Sequence, residues 1–266
     1  MICLVTGAAG FIASHLCRRL LKEGFLVVGA DSFNDSYPKW IKEKNIQDLL
    51  QKKDFEFIAE DLENLDLKKL LSRADYVFHL AAQAGVRASW GHNFEVYVKN
   101  NIQTTQKLLE VAREIPPKKF IYASSSSVYG LCPDLPMSET SLLNPLSPYG
   151  VTKLAAEQLC FLYFKNYGIP TVSLRLFTVY GPGQRPDMAF HKFFKAISAE
   201  KEIIVYGDGK QTRDFTYIDD IIEANIASLE KAKVGEVYNV GGGHQEKLEN
   251  IFPLIEKICQ KKIKIK

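Results

Sequence analysis

At 266 residues, 46% of them hydrophobic, the chain is long enough to bury a large core as one domain, or as one domain with a small second lobe. A net charge of +3 spread along the sequence argues against nucleic-acid binding, and the basic end Lys261–Lys266 reads as solvated surface. No run reaches membrane-spanning length and the N-terminus enters a strand directly, so neither a membrane segment nor a signal peptide is expected; scattered Cys3, Cys17, Cys132, Cys160 and Cys259, without metal-ligand spacing, read as reduced thiols of a cytoplasmic protein with no metal site.

The first elements form a recognisable unit. The apolar run Met1–Thr6 suits a buried parallel strand, Gly7-Ala8-Ala9-Gly10 is a turn, and helical spacing runs from Phe11 to Leu21. Gly24 stops the helix, Leu26-Val27-Val28 gives a second strand, and the segment ends at Asp31. A strand, glycine turn, helix, strand and acid in this order are the dinucleotide-binding fingerprint. Gly7 permits the tight turn, and Gly10 admits a pyrophosphate to the helix N-terminus, where free amides and the macrodipole favour negative charge. Asp31 stands where a carboxylate accepts hydrogen bonds from the adenosine ribose; it repels a 2′-phosphate, so NAD is the expected cofactor.

Further strands are expected at Phe55–Ala59, Tyr76–Leu80, Lys119–Ser124 and Thr171–Leu176, and helices at Lys39–Gln51, Leu67–Ser72, Phe94–Glu114 and Tyr149–Tyr167. The alternation predicts an α/β fold with a doubly wound parallel sheet. After Phe177 glycine, proline and charge become frequent. Residues 1–177 therefore read as a Rossmann domain and 178–266 as mainly a substrate-binding lobe, with some segments returning to the sheet. The chain stops soon after Val237–Gly243, where a new helix and strand begin, which reads as a C-terminal truncation or a minimal lobe.

Chemistry is expected at Tyr149-Gly-Val-Thr-Lys153. Positions i and i+4 share a helix face, so the phenol and the ammonium can enter one site. A neighbouring cation favours the phenolate, and such a tyrosine can take a proton from an alcohol. The serine run 124–127 leaves the end of a predicted strand, where ligands of open α/β sheets bind.

The stretches TGAAGFIASHL, HLAAQAGVRAS, YASSSSVYG, YGVTK, LRLFTVYGPGQRPDMAF and GDGKQTRDFTYIDD together resemble the extended short-chain dehydrogenase/reductase family. Within it they look like nucleotide-sugar 4-epimerases, most of all the UDP-glucuronate 4-epimerases, over Met1 to about Gly243. The resemblance implies that Tyr149 is the base, that Lys153 tunes it and holds the nicotinamide ribose, and that Ser125 is the hydroxyl partner, with Ser126 able to share that role. It implies cofactor contacts at Gly7, Gly10, Phe11, Ile12, Asp31, Asn34, Asp61, Leu62, Ala81, Ala82, Gln83 and Asn101 as well as at Tyr149 and Lys153. Nucleotide-sugar contacts are implied at Arg87, Ser126, Thr178, Arg185, Tyr206, Gln211 and Arg213, with Tyr206 near uracil and Arg213 on the diphosphate. It also implies a homodimer through the helices Phe94–Glu114 and Tyr149–Tyr167.

Two departures from the family pattern are Ala13 for the third glycine, which still permits close helix–strand packing, and Thr104 for a glycine, which is expected to perturb packing under the cofactor. Related decarboxylases carry a glutamate where this chain has Ser127, and related 4,6-dehydratases an Asp-Glu pair at Ser126-Ser127; without that acid, simple epimerisation through a transient 4-keto sugar is expected. The alternatives are a UDP-glucose/galactose 4-epimerase, then a UDP-glucuronate decarboxylase, or a non-catalytic NAD-binding sensor.

Overall fold

The computed structural model describes residues 1–133, 135–205 and 207–265. In chain order the first half comprises β1 (Ile2–Thr6), α1 (Phe11–Lys22), β2 (Leu26–Ala30), α2 (Lys39–Ile46), β3 (Phe55–Ile58), α3 (Leu67–Leu71), β4 (Tyr76–His79), α4 (Phe94–Tyr97), α5 (Thr104–Glu114) and β5 (Lys119–Ser125). The second half comprises α6 (Pro148–Tyr167), β6 (Thr171–Leu176), β7 (Thr178–Tyr180), α7 (Ala189–Ser198), β8 (Thr212–Tyr217), α8 (Ile218–Glu230), β9 (Val237–Val240), β10 (Gln245–Lys247) and α9 (Leu248–Cys259).

Strands β3-β2-β1-β4-β5-β6-β9 make one parallel sheet. Successive side chains of a strand point to opposite faces, and that alternation builds two cores. Cys3, Val5 and Ile121 join α1 and α8 on one face; Leu4, Phe120 and Tyr122 join α5 and α6 on the other. Ala13 is buried in the first of these cores, consistent with the small residue expected there. The chain winds outward through β2 and β3, then crosses back to β4. This reversal opens a crevice at the carboxyl ends of β1 and β4, where open α/β sheets take their ligands.

Local chemistry sets the pieces nearest that crevice. Helix α6 starts because Ser147 Oγ accepts from the Gly150 amide at 3.0 Å and Pro148 stands in the first turn; it stops at Gly168 in the left-handed conformation, φ 71°. The expected helix Lys39–Gln51 is divided, since α2 ends at Ile46 and a 3-10 turn covers Leu49–Gln51. The expected helix Phe94–Glu114 is also interrupted, by a π-helical turn at Val98–Gln103. Long-range bonds hold that wide turn. Asn101 Oδ1 accepts from the Gln83 amide at 2.7 Å, and its Nδ2 donates to Thr152 Oγ1 at 2.9 Å. Thr104, expected to disturb packing, instead donates its hydroxyl to the Lys99 carbonyl at 3.0 Å, and Thr105 donates to that of Asn101 at 2.6 Å.

Past Phe177 the chain is more regular than its composition suggested. β7, β8 and β10 form a small second sheet, and α7 and α9 enclose a separate apolar cluster around Phe193, Ile197, Phe252 and Ile255. Helix α8 and strand β9 return to the main sheet, β9 pairing in parallel with β6. Lys119 fastens α8 to β5: its buried ammonium donates to the carbonyls of Ser228, Leu229 and Ala232 at 2.8–2.9 Å, the orphan acceptors of a helix end.

Candidate active site

The glycine turn has the shape its motif implies. Gly7 has φ 73°, and a Cβ there would stand 3.0 Å from the backbone of Ala81. Gly10 caps α1 in an extended conformation without any side-chain cap, which leaves the N-terminal amides around Phe11 and Ile12 to an anion. Asp31, at the end of β2, is buried; its Oδ2 accepts from the Ala9 amide at 3.1 Å and its Oδ1 from the Phe33 amide at 2.8 Å. A carboxylate has lone pairs beyond those two bonds, so acceptors remain for ribose hydroxyls. Burial pushes the Asp31 carboxyl up, and buried Lys42, 3.9 Å away, opposes the shift. Lys42 also donates to the carbonyl and side-chain oxygens of Asn34 at 2.8 and 2.6 Å, pinning the loop that follows Asp31. Asp61 caps the turn containing Leu62 and accepts from Lys99 at 3.3 Å. These features fit a dinucleotide: a side-chain-free cradle, an uncapped helix end and a buried acid at the next strand.

The other wall is the segment after β4. Ala81 donates its amide to Thr6 Oγ1 at 3.1 Å, and Gln83 is clamped at both backbone groups by Asn101. Buried His79 links the layers, with Nδ1 2.8 Å from Thr6 Oγ1 and Nε2 2.9 Å from Thr105 Oγ1. The Thr105 proton is committed to the Asn101 carbonyl, so Nε2 carries the imidazole hydrogen and Nδ1 accepts. Burial lowers the His79 pKa to about 3 and keeps it neutral. Ala82 lies between these fixed points, half-buried.

Tyr149 and Lys153 stand four residues apart on α6, at the edge of this crevice. Ser125, at the carboxyl end of β5, stands near enough to the Tyr149 phenol to favour its ionised form, and its hydroxyl accepts from the Ser127 amide at 3.1 Å. The Tyr97 ring meets Tyr149 edge-on at 6.2 Å between centroids, its hydroxyl donating to the Gly85 carbonyl at 2.7 Å. The electrostatics differ from the sequence expectation that Lys153 eases ionisation of Tyr149. Burial pushes the phenol up; the neighbouring Ser125 hydroxyl and the charge of Arg185 pull it back only in part. Lys153 is itself desolvated, which drops its pKa to about 7, and its ammonium lies 4.3 Å from the centroid of the Tyr122 ring.

The substrate-side residues are only partly assembled around this pair. Arg185 is close enough for its charge to act on Tyr149, and it holds Asp187 through a two-pronged pair, both bonds 3.0 Å. Ser126 begins the short turn after Ser125, and Thr178 begins β7. Arg87 sits exposed on a 3-10 turn. Gln211 precedes β8, and exposed Arg213 lies on it, in register with Glu246. Tyr206 lies outside the described residues. Sequence reasoning missed Lys42, Thr152, Glu157 and Arg175. Glu157 could have been found, since it continues the Tyr149/Lys153 spacing by another four residues along a buried stripe. Among the described residues no group of His, Cys, Asp and Glu is placed to hold a metal ion, and no helix is long and apolar enough to cross a membrane.

Residues 3–241 match the NAD dependent epimerase/dehydratase family. The chain belongs to this family. Among relatives of this epimerase/dehydratase, the "Uncharacterized UDP-glucose epimerase YtcB" of Bacillus subtilis is 50% identical over 97% of the chain and 82% of that protein. A UDP-glucuronate 4-epimerase of Thermodesulfobacterium geofontis is 43% identical, over 98% of the chain and 81% of the relative. Among solved structures, the UDP-glucuronic acid 4-epimerase of Bacillus cereus, in complex with UDP-glucuronic acid and NAD, superposes with a TM-score of 0.97 at 53% identity, covering 100% of this chain and 85% of that one.

Proposed function

We propose that this family member is an NAD-dependent 4-epimerase interconverting UDP-glucuronate and UDP-galacturonate. The observation that carries the reading is the convergence of Tyr149, Ser125 and Arg185 at the carboxyl end of the parallel sheet: a base, its hydroxyl partner and a cation suited to a carboxylate. The similarity to the Bacillus cereus and Thermodesulfobacterium enzymes supports the uronate as substrate. Serines at 126 and 127, where an acid would favour decarboxylation or dehydration, support epimerisation.

The cradle at Gly7, Gly10, Phe11 and Ile12, with Asp31, Asn34, Asp61, Leu62, Ala81, Ala82, Gln83 and Asn101 around it, would hold the dinucleotide. When bound, its oxidised nicotinamide supplies a reversible hydride acceptor for carbon 4 of the sugar. Tyr149 takes the proton from the 4-hydroxyl and later returns it. Ser125 orients that hydroxyl and the phenol together. Lys153 would hold the nicotinamide ribose beside Tyr149, and Arg185 with Ser126 and Thr178 holds the sugar carboxylate. Arg87, Gln211 and Arg213 bind the nucleotide diphosphate while the keto sugar turns. Incubating the protein with UDP-glucuronate and NAD⁺ should yield UDP-galacturonate without net NADH; formation of UDP-pentose alone would mean a decarboxylase. The name of the Bacillus subtilis relative favours UDP-glucose as a second substrate to assay in parallel.

Asp31 sets the cofactor choice in this reading. Calorimetric titration is expected to show NAD⁺ binding well above its 2′-phosphorylated analogue, and Asp31→Ala should weaken NAD⁺ binding without unfolding the chain. Equal affinities for the two dinucleotides would remove the ribose role.

The reading extends to a cytoplasmic homodimer with no nucleic-acid partner. Trp90, Phe94, Val96, Val151, Phe161 and Leu162 expose apolar surface on and beside α4 and α6, which supports a buried face between two copies. Leu159 and Phe164 are partly covered within the chain itself. Sedimentation of the protein should read a dimer of 30.0 kDa chains.

A further inference from the structure

Tyr149, Lys153 and Glu157 stand at four-residue steps on one stripe of α6, and Lys153 and Glu157 are buried. A carboxylate in the core is costly unless it is paired and hydrogen-bonded. Glu157 is held on both oxygens. Its Oε1 accepts from Arg175 Nη2 at 2.6 Å, and its Oε2 accepts from Arg175 Nε at 3.0 Å and from Ser124 Oγ at 2.5 Å. Ser124, Arg175 and Asn239 occupy one register row across β5, β6 and β9. Tyr129 ties the row together, accepting from Arg175 Nη1 and donating to Asn239 Oδ1, both at 2.7 Å.

This row lies one residue before Ser125 on β5 and one helical turn beyond Lys153 on α6. A buried ion pair contributes little net stability compared with well-packed apolar side chains; its best-attested use is to select one arrangement among several. Here the arrangement selected is the seat of α6 on the sheet. A polar row of fixed register allows neither the sliding nor the rotation that an apolar contact would tolerate.

The row also carries charge. Lys153 is faced by Tyr149, Glu157 and Cys160 from its own helix, by Tyr122 from β5 and by His79 from β4. Burial keeps His79, Tyr122 and Cys160 neutral, and it pushes the Tyr149 phenol up. Glu157, paired with Arg175, is therefore the negative charge in this set.

We infer that Glu157 is a positioning residue for proton transfer: locked to Arg175 and Ser124, it seats the Tyr149–Lys153 stripe against Ser125. The inference rests on the reading of Tyr149 and Lys153 as the proton-transfer pair. The test uses the full chain with NAD⁺ and UDP-glucuronate and compares wild type, Glu157→Gln, the apolar double variant Glu157→Leu with Arg175→Met, Ser124→Ala and Lys153→Met. In the two Glu157 variants kcat should fall about 10- to 100-fold, with KM and NAD⁺ affinity within about threefold of wild type, because sub-ångström misplacement of reacting groups acts on turnover. Activity that needs the Lys153 ammonium is lost as pH rises, so Glu157→Gln, which removes the Glu157 charge and keeps that of Arg175, should move the alkaline limb of the pH–rate profile to lower pH, by about one unit.

Glu157→Gln leaves Arg175 uncompensated and risks the fold, whereas the double variant removes both charges. Should neither fold, Ser124→Ala decides, with kcat expected to fall severalfold at unchanged KM. A folded double variant with wild-type kcat would overturn the inference, as would a folded Glu157→Gln with an unmoved alkaline limb, and so would wild-type turnover of Ser124→Ala if that variant alone folds. Normal turnover by Lys153→Met would instead overturn the proton-transfer reading beneath it.

Discussion

Tyr149→Phe should remove turnover almost completely while leaving the binding of NAD⁺ and UDP-sugar close to wild type. The substitution keeps the ring that packs edge-on against Tyr97 and deletes only the hydroxyl beside Ser125. A positioned acid–base group contributes about 10²–10⁴-fold to rate, and burial lowers the His79 pKa to about 3, so that imidazole is too weak a base to take over. The measurement is a pair of experiments: single-turnover epimerisation followed by product analysis, and calorimetric titration with each ligand. Near-normal turnover would overturn the assignment of the base. Lost binding with lost turnover would mean that the hydroxyl serves mainly to organise the pocket.

Arg185→Ala should discriminate between sugars. The guanidinium acts on Tyr149 and is held by Asp187 through two parallel bonds of 3.0 Å, the same planar fork that a sugar carboxylate would present. Asp187 takes only Nε and Nη2, so a uronate carboxylate would meet the Nη1 donors of an already oriented cation, whereas a neutral hexose offers no charge to them. A hydrogen bond to a charged group is worth about 1.5–3 kcal/mol net, so turnover of UDP-glucuronate should fall by roughly 10- to 150-fold. UDP-glucose should change little. Once carbon 4 is a ketone, the carboxyl group on carbon 5 is prone to leave as carbon dioxide, so UDP-pentose per turnover should rise in the variant. An equal loss on both sugars would move Arg185 to a phosphate or structural role and would favour UDP-glucose as the native substrate. Arg185→Lys keeps the charge without the fork, so it should behave closer to alanine than to arginine on the acidic sugar.

The parts of this molecule legible in the sequence are those whose cause is local. Gly7, Gly10 and Asp31 announce their geometry because the turn, the helix start and the second strand lie within one short unit. The four-residue step from Tyr149 to Lys153 needs only helical geometry. What stayed hidden depends on partners far along the chain. The wide turn at Val98–Gln103 exists because Asn101 reaches Gln83 and Thr152, and no helix propensity reports such bonds. Arg175 is a charged residue in a strand position that burial normally assigns to an apolar one, so pattern reading passes over it, and with it the partner that gives the Glu157 spacing its meaning. The Lys153 shift was invisible for a related reason. Spacing shows that a cation is near a phenol, but not that the cation is itself desolvated. Beyond Phe177, glycine and proline masked α7, α8 and α9, whose apolar stripes meet one another and the main sheet only in three dimensions.

The placement of β9 bears on how the protein is made. The edge strand that completes the parallel sheet is synthesised after β7, β8 and the whole of α8, yet it pairs with β6 and supplies Asn239 to Tyr129. On the ribosome, Arg175 emerges early and waits for part of its buried network until Val237–Val240 arrives. Domains assemble largely as units during synthesis, but this sheet cannot close from its first half alone. The buried network is thus completed late: a nascent chain arrested before β9 already has the means to pair Glu157 with Arg175 and Ser124, but lacks the Asn239 acceptor for Tyr129.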